Sequence, residues 1–277
     1  MALTNIVGSV AVVTGGASGI GLATAAAFHA RGGHIVLADI NETGLERAKE
    51  QVRSRNPQAQ GDILTIVTDV TNEAQVRALM QQADITFGRI DLVVTCAGVG
   101  QGGLIDTFPA SQMQSLMDIN FMGTFHCVQA ALPAMRRQGS GHFVFLSSVA
   151  GKLGNAFLSG YCASKWAVRG FSSALRVELY GSGIGITTVY PAWVDTPMVH
   201  QGEEMSRLFN VETLLTPDQV AEEILKAAAE NKRDLTLAPN QDIAQILPVF
   251  HENQDLAEDL LGAGMRHRIE QLYGQQS

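Results

Sequence analysis

Residues 10–21 read VAVVTGGASGIG, a short apolar run that passes directly into a turn with glycines at positions 15, 16, 19 and 21. The residues that follow have a helical pattern. A strand, a glycine-rich turn and a helix in this order bring free backbone N–H groups and the positive end of the helix dipole to a phosphate. No Gly-Lys-Ser/Thr follows, which excludes a nucleoside-triphosphate P-loop. The stretch therefore predicts a site for the pyrophosphate of a dinucleotide.

Similar apolar runs alternate with longer amphipathic segments along the rest of the chain. Strands are predicted at residues 9–14, 34–38, 63–67, 92–95, 142–146, 186–190 and 234–237. Helices are predicted at residues 20–31, 42–55, 73–87, 111–137, 161–181 and 217–231. This alternation predicts a single-domain α/β protein with a Rossmann-like, doubly wound parallel sheet of about seven strands and helices on both faces. We expect residues 1–238 to form that domain and residues 239–277 to be a helical C-terminal appendage without a fold of its own. The appendage is expected to complete either the substrate site or a subunit interface, because its apolar positions need a partner surface: Ile243, Ile246, Leu247, Val249 and Phe250.

The composition limits the possible partners. The chain has 277 residues, 46% of them hydrophobic, and a formal net charge of −8, which argues against nucleic acid or an anionic membrane as the main partner. No run approaches the roughly 20 apolar residues of a membrane span, so we expect a cytoplasmic protein with no membrane span. Cys96, Cys127 and Cys162 are odd in number and widely spaced. They favour reduced thiols over a disulfide framework, and we expect no metal site.

The second predicted strand is followed by Asp39 and Ile40, shortly after the glycine-rich turn. A carboxylate at this position can accept hydrogen bonds from the adenosine ribose and would repel a 2′-phosphate. Since the turn contains no arginine or lysine, NAD(H) is favoured over NADP(H). The alternative interpretation assigns Asp39 to the N-cap region of the next helix.

A tyrosine and a lysine four residues apart, Tyr161 and Lys165, begin a predicted helix. Their spacing puts the phenol and the ammonium on one helix face. A free tyrosine has a pKa of about 10, and we expect the nearby ammonium to lower that pKa. Ser148, at the end of the preceding strand, could reach the same reacting oxygen.

Together these motifs resemble the short-chain dehydrogenase/reductase family, closely over residues 8–200 and less closely to about residue 238. The resemblance implies a catalytic set of Asn120, Ser148, Tyr161 and Lys165, in which the family's 13-residue spacing before the tyrosine favours Ser148 over Ser147. Asn120 is expected to hold a water that connects Lys165 to solvent. The cofactor-contacting residues that the resemblance implies are Gly15, Ser18, Gly19, Ile20, Gly21, Asp39, Ile40, Asp69, Val70, Cys96, Ala97, Gly98, Tyr161, Lys165, Pro191, Val194 and Thr196.

The chain departs from the family's pattern at two positions. The usual NNAG reads Thr95-Cys-Ala-Gly98, which loses asparagine side chains that brace the central sheet, and the usual PG reads Pro191-Ala192. Neither change removes a proton-transfer group. We therefore expect the departures to affect rate and stability more than the chemistry.

The resemblance implies hydride transfer between NAD(H) and a secondary alcohol or ketone, with Tyr161 as acid or base. The segment after Ser148 and the methionine-rich residues 198–215, a lid in the family, suit a lipophilic or medium-sized substrate. A homodimer or homotetramer is expected through residues 111–137 and 161–181. Two alternatives remain open: a non-catalytic NAD-binding regulator on the same fold, and a nucleotide-sugar epimerase or dehydratase that shares the Tyr-Lys spacing.

Overall fold

The computed structural model describes residues 5–200, 214–238 and 241–274. The strands are β1 Val10–Thr14, β2 His34–Asp39, β3 Ile63–Val67, β4 Leu92–Thr95, β5 Gly141–Leu146, β6 Ile184–Pro191 and β7 Asp234–Leu237. The helices are α1 Gly19–Ala30, α2 Glu42–Arg55, α3 Glu73–Phe87, α4 Ala110–Met117, α5 Gly123–Gln138, α6 Ser159–Glu178, α7 Pro197–His200, α8 Pro217–Ala229, α9 Gln241–Glu252 and α10 Gln254–Gly274. A π-helical turn, Asp118–Met122, joins α4 to α5, and a 3₁₀ turn, Val149–Gly151, follows β5.

The strands form a seven-stranded sheet in the order β3-β2-β1-β4-β5-β6-β7, in which every neighbouring pair is parallel. The order reverses between β1 and β4. Crevices that bind ligands form at such a point, outside the carboxyl ends of the strands. The prediction of a single, doubly wound α/β domain is therefore confirmed.

Alternate residues of the strands supply two apolar layers. Val12 packs in the cluster that contains residues of α3, α5 and α6, whereas its neighbour Val13 packs in the cluster that contains residues of α1, α2 and α8. All five residues of β1 are buried. This burial on both faces explains why the central strands are continuous apolar runs rather than alternating ones.

Most predicted boundaries agree with the structure within one or two residues, but one helix does not. Residues 111–137 were predicted as one helix, and the structure divides them into α4, the π-helical turn and α5. The turn contains Asn120, whose amide bonds the loop after β4. A single π-helical turn inside a longer helical segment spans too few residues for apolar periodicity to distinguish it from an α-helical turn.

The C-terminal residues form two helices that pack against the main domain. Phe250 of α9 and Ala257 of α10 are buried in a cluster with Leu153, and the ring of Phe250 lies 6.2 Å from that of Trp166 on α6. No helix among the residues that the structure describes is both long and apolar enough to span a membrane.

Candidate active site

A cavity of about 1290 Å³ opens at the carboxyl ends of β1, β2, β4, β5 and β6. Every cofactor-contacting residue predicted from the sequence lines it, as do Ser148, Tyr161 and Lys165. Asn120 is the one predicted site residue that does not. The residues predicted from separate segments are therefore brought together at one site. In the described part of the chain, no group of three or more histidine, cysteine, aspartate or glutamate side chains could hold a metal ion.

The glycine-rich turn fits a pyrophosphate because side chains are excluded from it. Gly15 has a φ of +65°, and a Cβ there would lie 2.7 Å from the backbone nitrogen of Ala97. A Cβ at Gly21 would lie 2.3 Å from the carbonyl oxygen of Gly15. Both positions therefore require glycine. The turn leads into the N-terminus of α1, which begins at Gly19 and provides N–H groups for an anion.

Asp39 is held at the end of β2 by backbone N–H groups. Its carboxylate accepts one from Ala17 in the glycine-rich turn at 3.1 Å and one from Asn41 at 3.0 Å. The N-cap of α2 is Asn41, whose side chain accepts the N–H of Gly44. Asp39 therefore lies two residues before the N-cap and bonds the N-cap residue, as the alternative interpretation placed it, and it also lines the cavity.

Lys165 lies one helical turn beyond Tyr161 on α6, with its Nζ 5.6 Å from the centre of the Tyr161 ring. The ammonium donates a hydrogen bond to the carbonyl oxygen of Leu146, at 2.9 Å. Burial penalises its charge and lowers the pKa of Lys165 to about 8. The lysine is thus fixed at the end of β5 rather than directed at the phenol.

The expected lowering of the tyrosine pKa is not found. Burial raises the pKa of Tyr161 to about 12, and the interaction with the Ser148 hydroxyl only partly opposes this effect. The charge of Lys165 favours a phenolate, but moving a phenolate out of water is unfavourable in free energy, and spacing in the sequence does not report burial. In the protein alone, Tyr161 is therefore a neutral phenol at neutral pH.

The two serines after β5 have different partners. The hydroxyl of Ser147 donates to the carbonyl oxygen of Lys165 at 3.0 Å and so braces α6. The hydroxyl of Ser148 interacts with Tyr161. It also caps the 3₁₀ turn by accepting the N–H of Ala150. This arrangement favours Ser148 over Ser147 as the group next to the phenol.

Asn120 is buried behind the cavity wall in the π-helical turn. Its amide accepts the N–H of Val99 at 2.8 Å and donates to the carbonyl oxygen of Val99 and to the hydroxyl of Ser164, both at 3.0 Å. The side chain therefore ties the loop after β4 to α6. These bonds occupy its amide, so a role in holding water next to Lys165 would fall to its main chain.

The sequence profile of the short chain dehydrogenase family matches residues 9–207 of this chain. The chain belongs to that family. Membership makes it an oxidoreductase that uses a nicotinamide cofactor and acts on a small molecule.

Relatives with names and known structures agree with this assignment. A protein of Staphylococcus aureus (strain N315) named as an oxidoreductase is 33% identical over 241 residues, which cover 86% of this chain and 100% of the relative. The 3-ketodihydrosphingosine reductase of Mus musculus is 33% identical over 229 residues, 80% of this chain and 69% of that one. The crystal structure of a short chain dehydrogenase/reductase from Burkholderia phymatum in complex with NAD is 30% identical and has a TM-score of 0.83, covering 91% of this chain and 96% of that chain.

The departures from the pattern of the short chain dehydrogenase family have local substitutes. The hydroxyl of Thr95 accepts a hydrogen bond from Thr124 on α5 and donates one, at 3.5 Å, to the carbonyl oxygen of Val144 on β5. Cys96 lies against the glycine-rich turn, and burial raises the pKa of its thiol to about 12. Position 96 therefore carries a small neutral side chain, and the hydrogen bonds that brace the sheet are made by Thr95 and Thr124.

For a large part of the cavity lining, sequence reasoning provided at most an association of a whole segment with the substrate and no role for single residues. This part includes Gln101, Leu153, Asn155, Leu158 and Trp193, and from the C-terminal helices Ile243, Gln245, Ile246, Val249, Leu260, Leu261, Gly264 and Met265. A signal was present in α9, where isoleucines and valine recur every three residues, but it did not indicate which surface they would cover. Of the expected lid, Met198 lines the cavity, while Met205, Leu208 and Phe209 lie outside the described residues.

Proposed function

We propose that this protein transfers a hydride between NAD(H) and the carbon of a secondary alcohol or ketone, with a lipophilic or medium-sized substrate. The observation that carries the proposal is a single cavity with Tyr161, Lys165 and Ser148 on one wall and Asp39 and the glycine-rich turn at its other end. The ketone named in the reductase relative from Mus musculus supports the substrate class.

In this proposal Tyr161 donates its proton to the carbonyl oxygen during reduction. Tyr161 is protonated at neutral pH in the protein alone, as a proton donor must be, and burial raises its pKa to about 12. Ser148 hydrogen-bonds the same oxygen and stabilises the charge that develops on it. When bound, the cofactor supplies or accepts the hydride, and its oxidised ring carries a positive charge that favours the phenolate needed for alcohol oxidation.

The remaining two residues support these groups. Lys165, held by the Leu146 carbonyl, keeps a positive charge below pH 8 near the phenol and the nicotinamide ribose. Asn120 is a positioning residue, since it holds the loop after β4 against α6 through Val99 and Ser164.

A preference for NAD(H) rests on Asp39. Its carboxylate, fixed by two backbone N–H groups, can accept hydrogen bonds from ribose hydroxyls. Among the described residues that line the cavity, Lys165 is the only cation, and it belongs to the catalytic end. A 2′-phosphate next to Asp39 would therefore meet a negative charge without a compensating positive one.

The test is a screen of alcohols with NAD⁺ and of ketones with NADH, followed at the nicotinamide absorbance. Turnover of ketones in the presence of NADH supports the proposal. Tight NADH binding with no turnover of any alcohol or ketone would instead support the alternative of a non-catalytic NAD-binding regulator.

We further propose a homodimer or homotetramer with contacts through residues 111–137 and 161–181. Within these segments, Ala131 and Leu175 are buried in the subunit and are not available for a contact. Val177 and Tyr180 are 77% and 87% exposed and are better candidates. Light scattering that gave the 29.6 kDa mass of one chain would contradict an oligomer.

A cytoplasmic location is proposed because Cys96, Cys127 and Cys162 are free thiols.

A further inference from the structure

The cavity extends beyond the catalytic residues along the two C-terminal helices. Six of their residues form an apolar wall, which we call the helical wall: Ile243, Ile246 and Val249 of α9, and Leu260, Leu261 and Met265 of α10. The family profile ends at residue 207. The helical wall therefore lies outside the part of the chain that the family profile matches.

The helical wall is held in place by its own small core. Phe250 and Ala257 are buried against Leu153, which lies five residues after Ser148 in the chain. Leu153 also lines the cavity. The anchor of the helices therefore includes a residue of the cavity wall itself.

The charged side chains of the described cavity lining belong to the cofactor-binding and catalytic residues, not to the helical wall. Among the described lining residues, only Asp39, Asp69 and Lys165 carry a charge. Asp39 and Asp69 belong to the cofactor segments, and Lys165 is bonded to Leu146. The amide side chains of the described lining are the neutral Gln101, Asn155 and Gln245, of which Gln245 lies on α9.

A carboxylate or phosphate bound at the helical wall would lose its hydration without gaining a cation from the described lining residues. A hydrocarbon chain would instead be transferred from water to an apolar surface, which is favourable in proportion to the area buried.

We propose that the helical wall binds the hydrocarbon body of an uncharged substrate, and that the enzyme selects long-chain neutral ketones or secondary alcohols over short ones and over those that end in a carboxylate. This inference rests on the proposed function, because the reacting carbon is assigned to the Ser148 and Tyr161 end of the cavity. According to this inference, α9 and α10 determine which substrate binds, whereas Ser148 and Tyr161 carry out the reaction.

The experiment measures binding of secondary alcohols to the protein saturated with NADH, a pair that cannot react. Calorimetric titrations compare 2-pentanol with 2-nonanol, and 8-hydroxynonanoic acid with its methyl ester. We expect 2-nonanol to bind at least about 10-fold more tightly than 2-pentanol, because four added methylenes are buried. We expect the methyl ester to bind at least about 10-fold more tightly than the acid.

A matched pair of variants locates the site. Leu261→Gln places an amide in the helical wall, whereas Leu256→Gln makes the same change on α10 at a residue that is 47% exposed and does not line the cavity. We expect Leu261→Gln to weaken 2-nonanol binding by about 5- to 10-fold and to leave 2-pentanol binding within about twofold, with Leu256→Gln close to the unmodified protein for both alcohols.

Equal affinities for 2-pentanol and 2-nonanol, equal affinities for the acid and its ester, or equal losses in the two variants would each overturn the inference. Turnover of ketones without these preferences would overturn the inference and leave the proposed function intact. The expected binding preferences without turnover of any ketone would contradict the proposed function and retain the helical wall as a site for neutral apolar ligands.

Discussion

The two ends of the cavity are built in different ways. At the cofactor end, backbone geometry decides what can bind: a Cβ at Gly15 or Gly21 would collide with backbone atoms, and Asp39 is fixed by two backbone N–H groups. At the other end, the helical wall consists of aliphatic side chains on two helices, anchored through Phe250 and Ala257. The first end has tight steric requirements at single residues, whereas the second depends on apolar area.

This difference predicts how each end responds to substitution. A change at the cofactor or catalytic end removes a specific hydrogen bond, charge or proton, so its effect is large and qualitative. A change in the helical wall removes part of a distributed apolar contact, so its effect is smaller and depends on the substrate. Substitutions at each end test whether the two ends are separable.

Tyr161→Phe carries the largest expected effect. It removes the phenolic hydroxyl and retains the ring, so NADH affinity should stay nearly unchanged while turnover falls by about 10²–10⁴-fold. The matched control is Tyr180→Phe, two residues after the end of the same helix, at a side chain that is 87% exposed. Steady-state kinetics and NADH titration measure both quantities. More than about a tenth of normal turnover in Tyr161→Phe would exclude a tyrosine-based mechanism.

Replacing Asp39 should change the cofactor and leave the substrate unaffected. Asp39→Ala combined with Ile40→Arg removes a repelling carboxylate and adds a guanidinium that can bind a 2′-phosphate. We expect the ratio of kcat/KM for NADPH to that for NADH to rise by about 10- to 100-fold. Because Asp39 also accepts the N–H groups of Ala17 and Asn41, Asp39→Asn with Ile40→Arg is the control that keeps an acceptor. Tighter binding of NADPH than NADH to the unmodified protein would refute the role of Asp39.

Undocking the C-terminal helices should leave the cofactor end intact. Phe250→Ala removes a buried ring that does not line the cavity, and it creates a void where α9 packs on Leu153. We expect kcat/KM for 2-nonanone to fall by about 10-fold, with NADH affinity within about twofold of normal. A parallel loss of NADH affinity would show that the two ends are not separable.

The smallest expected effect concerns the buried charge of Lys165. Its pKa is lowered to about 8 in the folded protein from 10.5, so between these values the unfolded chain binds more protons than the folded one. Stability therefore rises with pH in this window. Relative to Lys165→Met, the free energy of unfolding of the unmodified protein should rise by about 1 kcal/mol between pH 7 and pH 9. Urea unfolding at the two pH values measures it, and a constant difference between the two proteins would mean that the charge of Lys165 is not penalised.

Sequence reasoning succeeded where local patterns determine the structure. The run from Val10 to Gly21 predicted strand, turn and helix because glycine is needed where a Cβ would collide. The sheet followed from buried strands that are apolar throughout. The proximity of Ser148 and Tyr161 could be predicted because Ser148 follows the end of a strand, Tyr161 lies in the first turn of a helix, and only 13 residues separate them.

The parts that could not be predicted depend on three-dimensional surroundings. The apolar spacing of α9 indicated a buried face, but the surface it covers, at Leu153, is about 90 residues away in the chain. The π-helical turn at Asn120 is too short for the apolar periodicity of the surrounding helical segment to distinguish it from an α-helical turn. The pKa of Tyr161 depends on burial, which sequence spacing does not report.

The most direct test of hydride transfer from the cofactor to a ketone measures where deuterium from the reduced nicotinamide appears in the product. The protein is incubated with 2-nonanone and NADH that carries deuterium at both positions of the reduced nicotinamide carbon, and the product is analysed by mass spectrometry. The account predicts 2-nonanol with one deuterium on its carbinol carbon, formed by the unmodified protein and by Tyr180→Phe and almost absent with Tyr161→Phe. Formation of unlabelled 2-nonanol, or the absence of any alcohol product from every ketone tested, with NADH and with NADPH, would contradict hydride transfer to a ketone at this site.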